Sequence, residues 1–345
     1  MNSLQRFSNA CFCKNKDRPP VWLMRQAGRF LPEYRALREK HDFMTLLKTD
    51  ELITEVSLQP WRRLHMDAVI VFADILLLPN VMGMELNFLE GQGPKFSKLI
   101  ASQKDIDALK PVEPKKDIPF LLSALRNIRK EIKEDAALLG FAGSPWTVAS
   151  YIMDDFENIG KKNPELLKNT LSRLTHETIV YLSAKVDAGV DAIQIFDSWG
   201  GVLSPEDYRV WSAPYIKEIV TALKKRGVPI ILYVKESGPH LQTMIETGCD
   251  VISIGWETSL EEAKKKALGK TAIQGNFNPH ILMQATPDEI RQQTQIMLKT
   301  MQDYPGYIAN LGHGILPKTP VENVEAFIKS CQRSAVSFQQ EKIKR

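Results

Sequence analysis

The sequence predicts an α/β chain built as a single (β/α)8 TIM barrel, and three observations predict it. Short apolar, β-branched runs alternate with amphipathic stretches along all 345 residues. Runs that are apolar throughout, rather than at every second position, belong to parallel strands covered on both faces. Polar residues follow these runs closely: Asp74, Ser144, Asp197 with Ser198, and Asn310 with His313. The C-terminal ends of strands are where barrels gather their chemistry. No G-x-G-x-x-G follows the first run, which removes the commonest reason to prefer an open doubly wound sheet.

Taken in order, residues 1–18 read as a flexible, polar N-terminal segment. A helix is expected over Glu51–Leu64, capped by Asp50 and kinked at Pro60. Strands are expected at Ala68–Phe72, Ala137–Phe141, Ala192–Phe196, Val228–Val234, Val251–Ile254, Ala272–Gln274 and Tyr307–Leu311, with a weaker one at Lys95–Phe96. Ser204-Pro205-Glu206-Asp207, Thr286-Pro287-Asp288-Glu289 and Thr319-Pro320-Val321-Glu322 each set a capping hydroxyl, a proline at the first helical position and an acid that can close the capping box. Residues 336–345 read as a polar C-terminal tail, and the whole of 1–345 as one domain.

Bulk properties exclude several classes. Lys and Arg total 45 against 41 Asp and Glu, a net charge of +4, too mild for a nucleic-acid binder, and no basic stripe interleaves with aromatics. No apolar run is long enough to span a bilayer. The N-terminus lacks the apolar centre of a signal peptide, so a cytoplasmic protein is expected. Cys11, Cys13, Cys249 and Cys331 are scattered. The Cys11-x-Cys13 pair has no second Cys or His pair at zinc spacing, so free thiols are expected and no metal.

Residues 19 to 35, PPVWLMRQAGRFLPEYR, carry the most chemistry. Arg25 and Arg29 stand four positions apart with apolar neighbours, a glycine between and a proline beyond. Two fixed cations so close repel each other, so something anionic must sit against both. The nearby acids are Glu33 and Asp42; the alternative is a ligand. Guanidinium groups fork onto carboxylates, which makes a polycarboxylate the natural choice. Asp74 lies between VIVFA and ILLLP, where a carboxylate must be paired, hydrogen-bonded or neutralised. GFAGSPWTVASY, residues 140 to 151, turns a strand into a helix with Tyr151 about two turns in. Ser198 lacks a neighbouring base and reads as a hydrogen-bond donor rather than a nucleophile. His313, framed by glycines in LGHG, is suited to binding an anion or moving a proton. His240, after a Gly-Pro turn, is a weaker second candidate.

These segments together resemble the uroporphyrinogen decarboxylase family. PPVWLMRQAGRFLPEYR matches one family signature nearly throughout and GFAGSPWTVASY the other, with FADIL, QGN and NLGHGI in the expected order. The resemblance implies a (β/α)8 barrel with a deep polar cleft, paired as a homodimer. It implies cofactor-independent removal of the four acetate carboxyls of uroporphyrinogen III, giving coproporphyrinogen III in haem biosynthesis. It also implies that Arg25 and Arg29 bind substrate carboxylates, Asp74 holds the central pyrrole N–H groups, Tyr151 and Ser198 contact substrate, and His313 binds a propionate. Asp74, Arg29 and Arg25 are thereby the catalytic candidates. The proton donor stays open between an arginine and a relayed water. The chain departs from the family pattern at Phe277-Asn278-Pro279, at Gly255-Trp256 and in YVKESG.

Two rival readings remain. A cobalamin-linked methyltransferase shares the fold but needs a His-x-Cys and a distant Cys at strand ends, whereas Leu241 and Gln242 follow His240 and Cys249 precedes a strand. A non-catalytic tetrapyrrole carrier would keep the arginines without needing Asp74.

Overall fold

A computed structural model describes residues 1–89 and 93–343. The strands are β1 (Ala68–Ile70), β2 (Leu86–Leu89), β3 (Gly93–Phe96), β4 (Ala137–Gly143), β5 (Ala192–Asp197), β6 (Ile230–Val234), β7 (Val251–Ile254), β8 (Ala272–Phe277) and β9 (Tyr307–Leu311). Seven of them form one parallel sheet in the order β1-β4-β5-β6-β7-β8-β9. Each is among the seven apolar runs of the sequence, and β4, β6, β7 and β9 are buried along their whole length. Helices between successive strands cover the outer face, which is why these strands need no polar alternation.

Pro20–Trp22 lies between the two edge strands of this sheet. Ala309 N–H donates to Pro20 C=O at 2.9 Å, Trp22 N–H to Ala309 C=O at 3.3 Å, and Asp67 N–H to Val21 C=O at 2.8 Å. Inside the sheet, several polar side chains bond to one another. Trp22 Nε1 donates to Gln274 Oε1 at 2.9 Å, and Gln274 Nε2 reaches Gln194 Oε1 at 3.1 Å and Ser253 Oγ at 2.9 Å.

Several expectations are corrected. Lys95 and Phe96 do lie in a strand, but β3 pairs antiparallel with β2 in a separate two-stranded sheet. Residues 1–18 do not form a free segment: Ser3–Cys11 is a helix that buries Phe7, Ala10 and Cys11. Arg6 and Arg18 in this segment both pair with the wholly buried Asp67, at 2.8 and 2.7 Å. The 3-and-4 spacing of Phe7, Ala10 and Cys11 was the available signal. The supposed tail from 336 is helical through residue 343, as part of Val321–Ile343, and residues 344 and 345 lie outside the described residues.

Thr49 rather than Asp50 precedes the helix Asp50–Leu64, and Asp50 instead accepts from Ser123 Oγ at 2.5 Å. Pro60 lies inside that helix. Thr286 closes a full capping box with Glu289, and Ser204 accepts from Asp207 N–H. Among the described residues the buried Thr319 hydroxyl makes no hydrogen bond, so the third capping device is not seen in use.

Candidate active site

The mouth of the main sheet, at the C-terminal ends of its strands, opens into a cavity of about 480 Å³. Of the sequence candidates, Arg25, Arg29, Asp74, Ser198 and His313 all line it. They arrive from four places in the chain: the loop after Trp22, the loop after β1, and the ends of β5 and β9. Most of the remaining wall is apolar and includes Phe30, Phe72, Phe141, Phe196 and Tyr233. A charged group in such surroundings interacts far more strongly than in water.

The arginine loop is held by its backbone. Met24 N–H donates to the buried Asn310 Oδ1 at 3.1 Å, Ile315 N–H to Met24 C=O at 3.0 Å, and the buried Gln26 side chain to Ala68 C=O at 3.3 Å. Arg25 itself adopts a left-handed φ of 59°, a conformation that non-glycine residues take at a cost. Its side chain runs so close to Gly314 that a Cβ there would stand 2.4 Å from Arg25 Cδ. The glycine after His313 therefore serves the arginine as much as the histidine. Both guanidinium groups are exposed to the cavity. Among the described residues neither makes an ion pair or a side-chain hydrogen bond. The acids that might have neutralised them are engaged elsewhere: Glu33 pairs with Arg63 at 2.7 Å, and Asp42 accepts from Thr45 N–H at 2.9 Å.

Asp74 lines this space, half-buried, and accepts one backbone bond, from Leu76 N–H at 2.8 Å. Burial raises its pKa above the ordinary aspartate value, with the Leu76 N–H and the Arg25 guanidinium pulling the other way. A carboxylate with only one donor keeps most of its acceptor capacity for whatever enters.

His313 is bracketed by aromatics that the sequence did not connect with it. Trp256 lies parallel to it with ring centroids 6.2 Å apart, and Tyr233 stands 6.1 Å away. Tyr233 in turn donates its hydroxyl to Gly312 C=O at 3.2 Å. Nδ1 of His313 accepts from Gly314 N–H at 2.7 Å, which leaves Nε2 to carry the proton of the neutral ring. Burial, with Arg25, Lys235 and His280 nearby, pushes its pKa down to about 4.

Ser198 lies half-buried on the wall, and among the described residues its hydroxyl makes no hydrogen bond. Tyr151 is not on the cavity wall; its hydroxyl accepts from Trp199 Nε1 at 3.2 Å, beside the mouth. His240 is buried away from the cavity, tilted against Tyr208 with centroids 4.6 Å apart. Among the described residues no three His, Cys, Asp or Glu side chains gather as a metal-binding set, and no helix is long and apolar enough to cross a membrane.

Comparison with known proteins adds an independent view. The family model described as uroporphyrinogen decarboxylase (URO-D) matches residues 2–334. A uroporphyrinogen decarboxylase of Pseudoalteromonas atlantica is 41% identical over 353 residues, covering 98% of this chain and 99% of the relative. One of Hydrogenovibrio crunogenus is 42% identical over 338 residues, covering 94% and 95%. Among solved structures, a methyltransferase from Methanosarcina mazei superposes with a TM-score of 0.84 at 23% identity, covering 96% of this chain and 99% of that one. A B12-independent methionine synthase from Shewanella follows with a TM-score of 0.59 at 14% identity over 87% and 92%. At these identities the structural likenesses speak for the fold alone.

Proposed function

Because the chain belongs to the uroporphyrinogen decarboxylase family, we propose that its mouth cavity takes uroporphyrinogen III and releases its four acetate carboxyls as CO2, giving coproporphyrinogen III. The chain is then a carboxy-lyase of tetrapyrrole biosynthesis. One observation carries the reading at the level of residues: two arginines that make no ion pair among the described residues face the same cavity as a carboxylate with one hydrogen-bond donor among them.

The substrate supplies what those groups lack. Its carboxylates offer anions to Arg25 and Arg29, which fork onto them bidentately. Its four pyrrole N–H groups converge as donors on one acceptor, and Asp74 fits that place. The apolar wall receives the macrocycle, while Ser198 and His313 Nε2 donate to peripheral carboxylates. Tyr151, tied to Trp199, meets the substrate edge at the mouth.

Decarboxylation needs an electron sink, and the pyrrole provides it. A proton added to the ring α-carbon next to the one bearing the acetate makes that ring cationic, with the charge shared by the acetate-bearing carbon. The C–CO2 bond then breaks, its electron pair flows into the ring, and an exocyclic methylene remains. Protonation of the methylene and loss of the first proton restore the pyrrole, so one proton has replaced one CO2. Asp74, ionised and close to the ring nitrogens, stabilises the cation as it develops. Preorganised charge of this kind is usually the largest single catalytic contribution.

The reading extends to the architecture. A closed (β/α)8 barrel forming a single domain is supported by Val21, which bonds toward both edge strands. A homodimer is supported by the exposed Trp199, Val202 and Val210 beside the mouth, 43%, 62% and 53% accessible. A reducing, cytoplasmic setting is supported by the buried free thiols of Cys11 and Cys249.

Anaerobic incubation of the purified chain with uroporphyrinogen III, followed by chromatography, tests the function. Stepwise conversion to coproporphyrinogen with CO2 release is expected. Tight binding without CO2 release would make the chain a carrier and overturn the proposal.

A further inference from the structure

Ser198 stands between two residues that are both tied down, although among the described residues its own hydroxyl makes no hydrogen bond. On one side, Asp197 is wholly buried and its carboxylate collects three hydroxyls: Oδ1 accepts from Ser144 Oγ at 2.6 Å and Thr147 Oγ1 at 2.9 Å, and Oδ2 from Ser212 Oγ at 2.7 Å. On the other side, Trp199 is held at both ends of its backbone. Its N–H donates to Thr147 Oγ1 at 3.1 Å, and its C=O accepts from Trp146 Nε1 at 3.1 Å. A Cβ on Gly200 would stand 2.1 Å from Asp197 Oδ2, so the chain just beyond Trp199 also closes onto the same carboxylate.

Trp146 and Thr147 sit in the first turn of the helix Pro145–Ile152, whose N-cap is Ser144. That helix follows β4, whereas Ser198 follows β5. Thr147 Oγ1 is the junction. It gives its proton to Asp197 and takes the Trp199 N–H, so one hydroxyl joins the carboxylate before Ser198 to the amide after it. Burial raises the pKa of Asp197 while the surrounding hydroxyls lower it. Buried polar groups matched this fully rigidify what they connect.

We infer that Thr147, with Asp197, is a positioning residue for substrate binding, setting the Ser198 hydroxyl on the cavity wall without itself touching substrate. The inference rests on the reading that Ser198 contacts substrate. A hydrogen bond made alike in ground and transition states acts on KM rather than kcat. The role is therefore visible as a KM effect that depends on Ser198.

The test is a double-mutant cycle on the full-length enzyme, with kinetics referred to folded protein. Thr147→Val, which keeps the shape and removes the hydroxyl, is expected to raise KM about fivefold with kcat within about twofold. Thr147→Ser is expected to restore KM, and Ser198→Ala to raise it by a similar factor. The double variant Thr147→Val with Ser198→Ala should be no worse than Ser198→Ala alone. Trp146→Phe removes the other anchor on Trp199 and carries the same expectation, which keeps the test open should Thr147→Val fail to fold. A normal KM in Thr147→Val or Trp146→Phe alongside a raised KM in Ser198→Ala overturns the inference and leaves the Ser198 reading standing. A normal KM in Ser198→Ala overturns both. Fully additive effects, or a lowered melting temperature with unchanged KM, also overturn the inference.

Discussion

The two ends of the main sheet each bring a pair of arginines and an aspartate to one place, and they use them oppositely. Below β1, Arg6 and Arg18 both close on Asp67, which also accepts from Ser3 Oγ at 2.8 Å and Val21 N–H at 2.8 Å. Every oxygen there is matched, and Asp67 has no exposed side-chain surface. At the mouth, Arg25 and Arg29 make no ion pair among the described residues, Arg25 acting on Asp74 only through space, and Asp74 has a single backbone donor. The lower set joins the N-terminal segment to the sheet. On the proposed reading, the upper set is completed by the substrate. Matched charge stabilises a fold; unmatched charge held in place by backbone binds something else.

Removing either aspartate breaks the comparison most directly. Asp74→Ala is expected to fold and to lose about a thousandfold in kcat/KM, in line with the loss of a preorganised electrostatic group. Its urea midpoint should stay level or rise, since burial already disfavours that carboxylate. Near-normal turnover would remove Asp74 from the mechanism. Asp67→Ala leaves two partly buried cations without their anion and should cost about 3 kcal/mol or more in urea unfolding. Its effect on KM, measured on folded protein, should be absent.

Single arginine changes sharpen the contrast. Arg25→Ala and Arg29→Ala should each raise KM about tenfold, the worth of a charge-assisted hydrogen bond, with little change in melting temperature. Arg6→Ala should do the reverse, lowering the melting temperature at constant KM. If Arg29→Ala lowers stability as Arg6→Ala does, the two ends are not different in kind.

The smallest effect concerns His313. In the free site its pKa is about 4, so the ring is neutral near pH 7. A substrate carboxylate beside Nε2 favours the charged ring and raises that value. Binding should therefore take up a fraction of a proton above pH 4, measurable by calorimetry in buffers of different ionisation heat, and lose it in His313→Gln. In the unliganded protein the lowered pKa acts on folding. Below about 6.5 the unfolded chain binds the proton first, so stability falls as pH drops toward 4, and His313→Gln should flatten that fall.

Much of this was readable along the chain, for reasons tied to particular residues. The seven runs from Ala68 to Leu311 were legible because strands buried on both faces have no polar alternation to obscure them. Pro20–Trp22 was not, since a single bonded residue, Val21, leaves no periodic pattern. Residues 1–18 misled because Arg6 and Arg18 meet an aspartate about fifty to sixty positions away, which the local sequence does not signal. The bracket around His313 was equally hidden: Trp256 follows β7 and Tyr233 ends in β6, and only sheet order makes them neighbours of a residue after β9.

By itself, the amino-acid sequence determined the strand runs, the family signatures and the residue types able to hold a polycarboxylate, because these depend on local composition and spacing. Tertiary structure alone decided which charges were left over. Glu33 and Asp42 stand close to the arginines along the chain, yet one turns to Arg63 and the other caps its own helix, while Asp74 comes to the same cavity from the loop after β1. Ion pairing depends on distance in space, and a linear order of residues does not carry that distance.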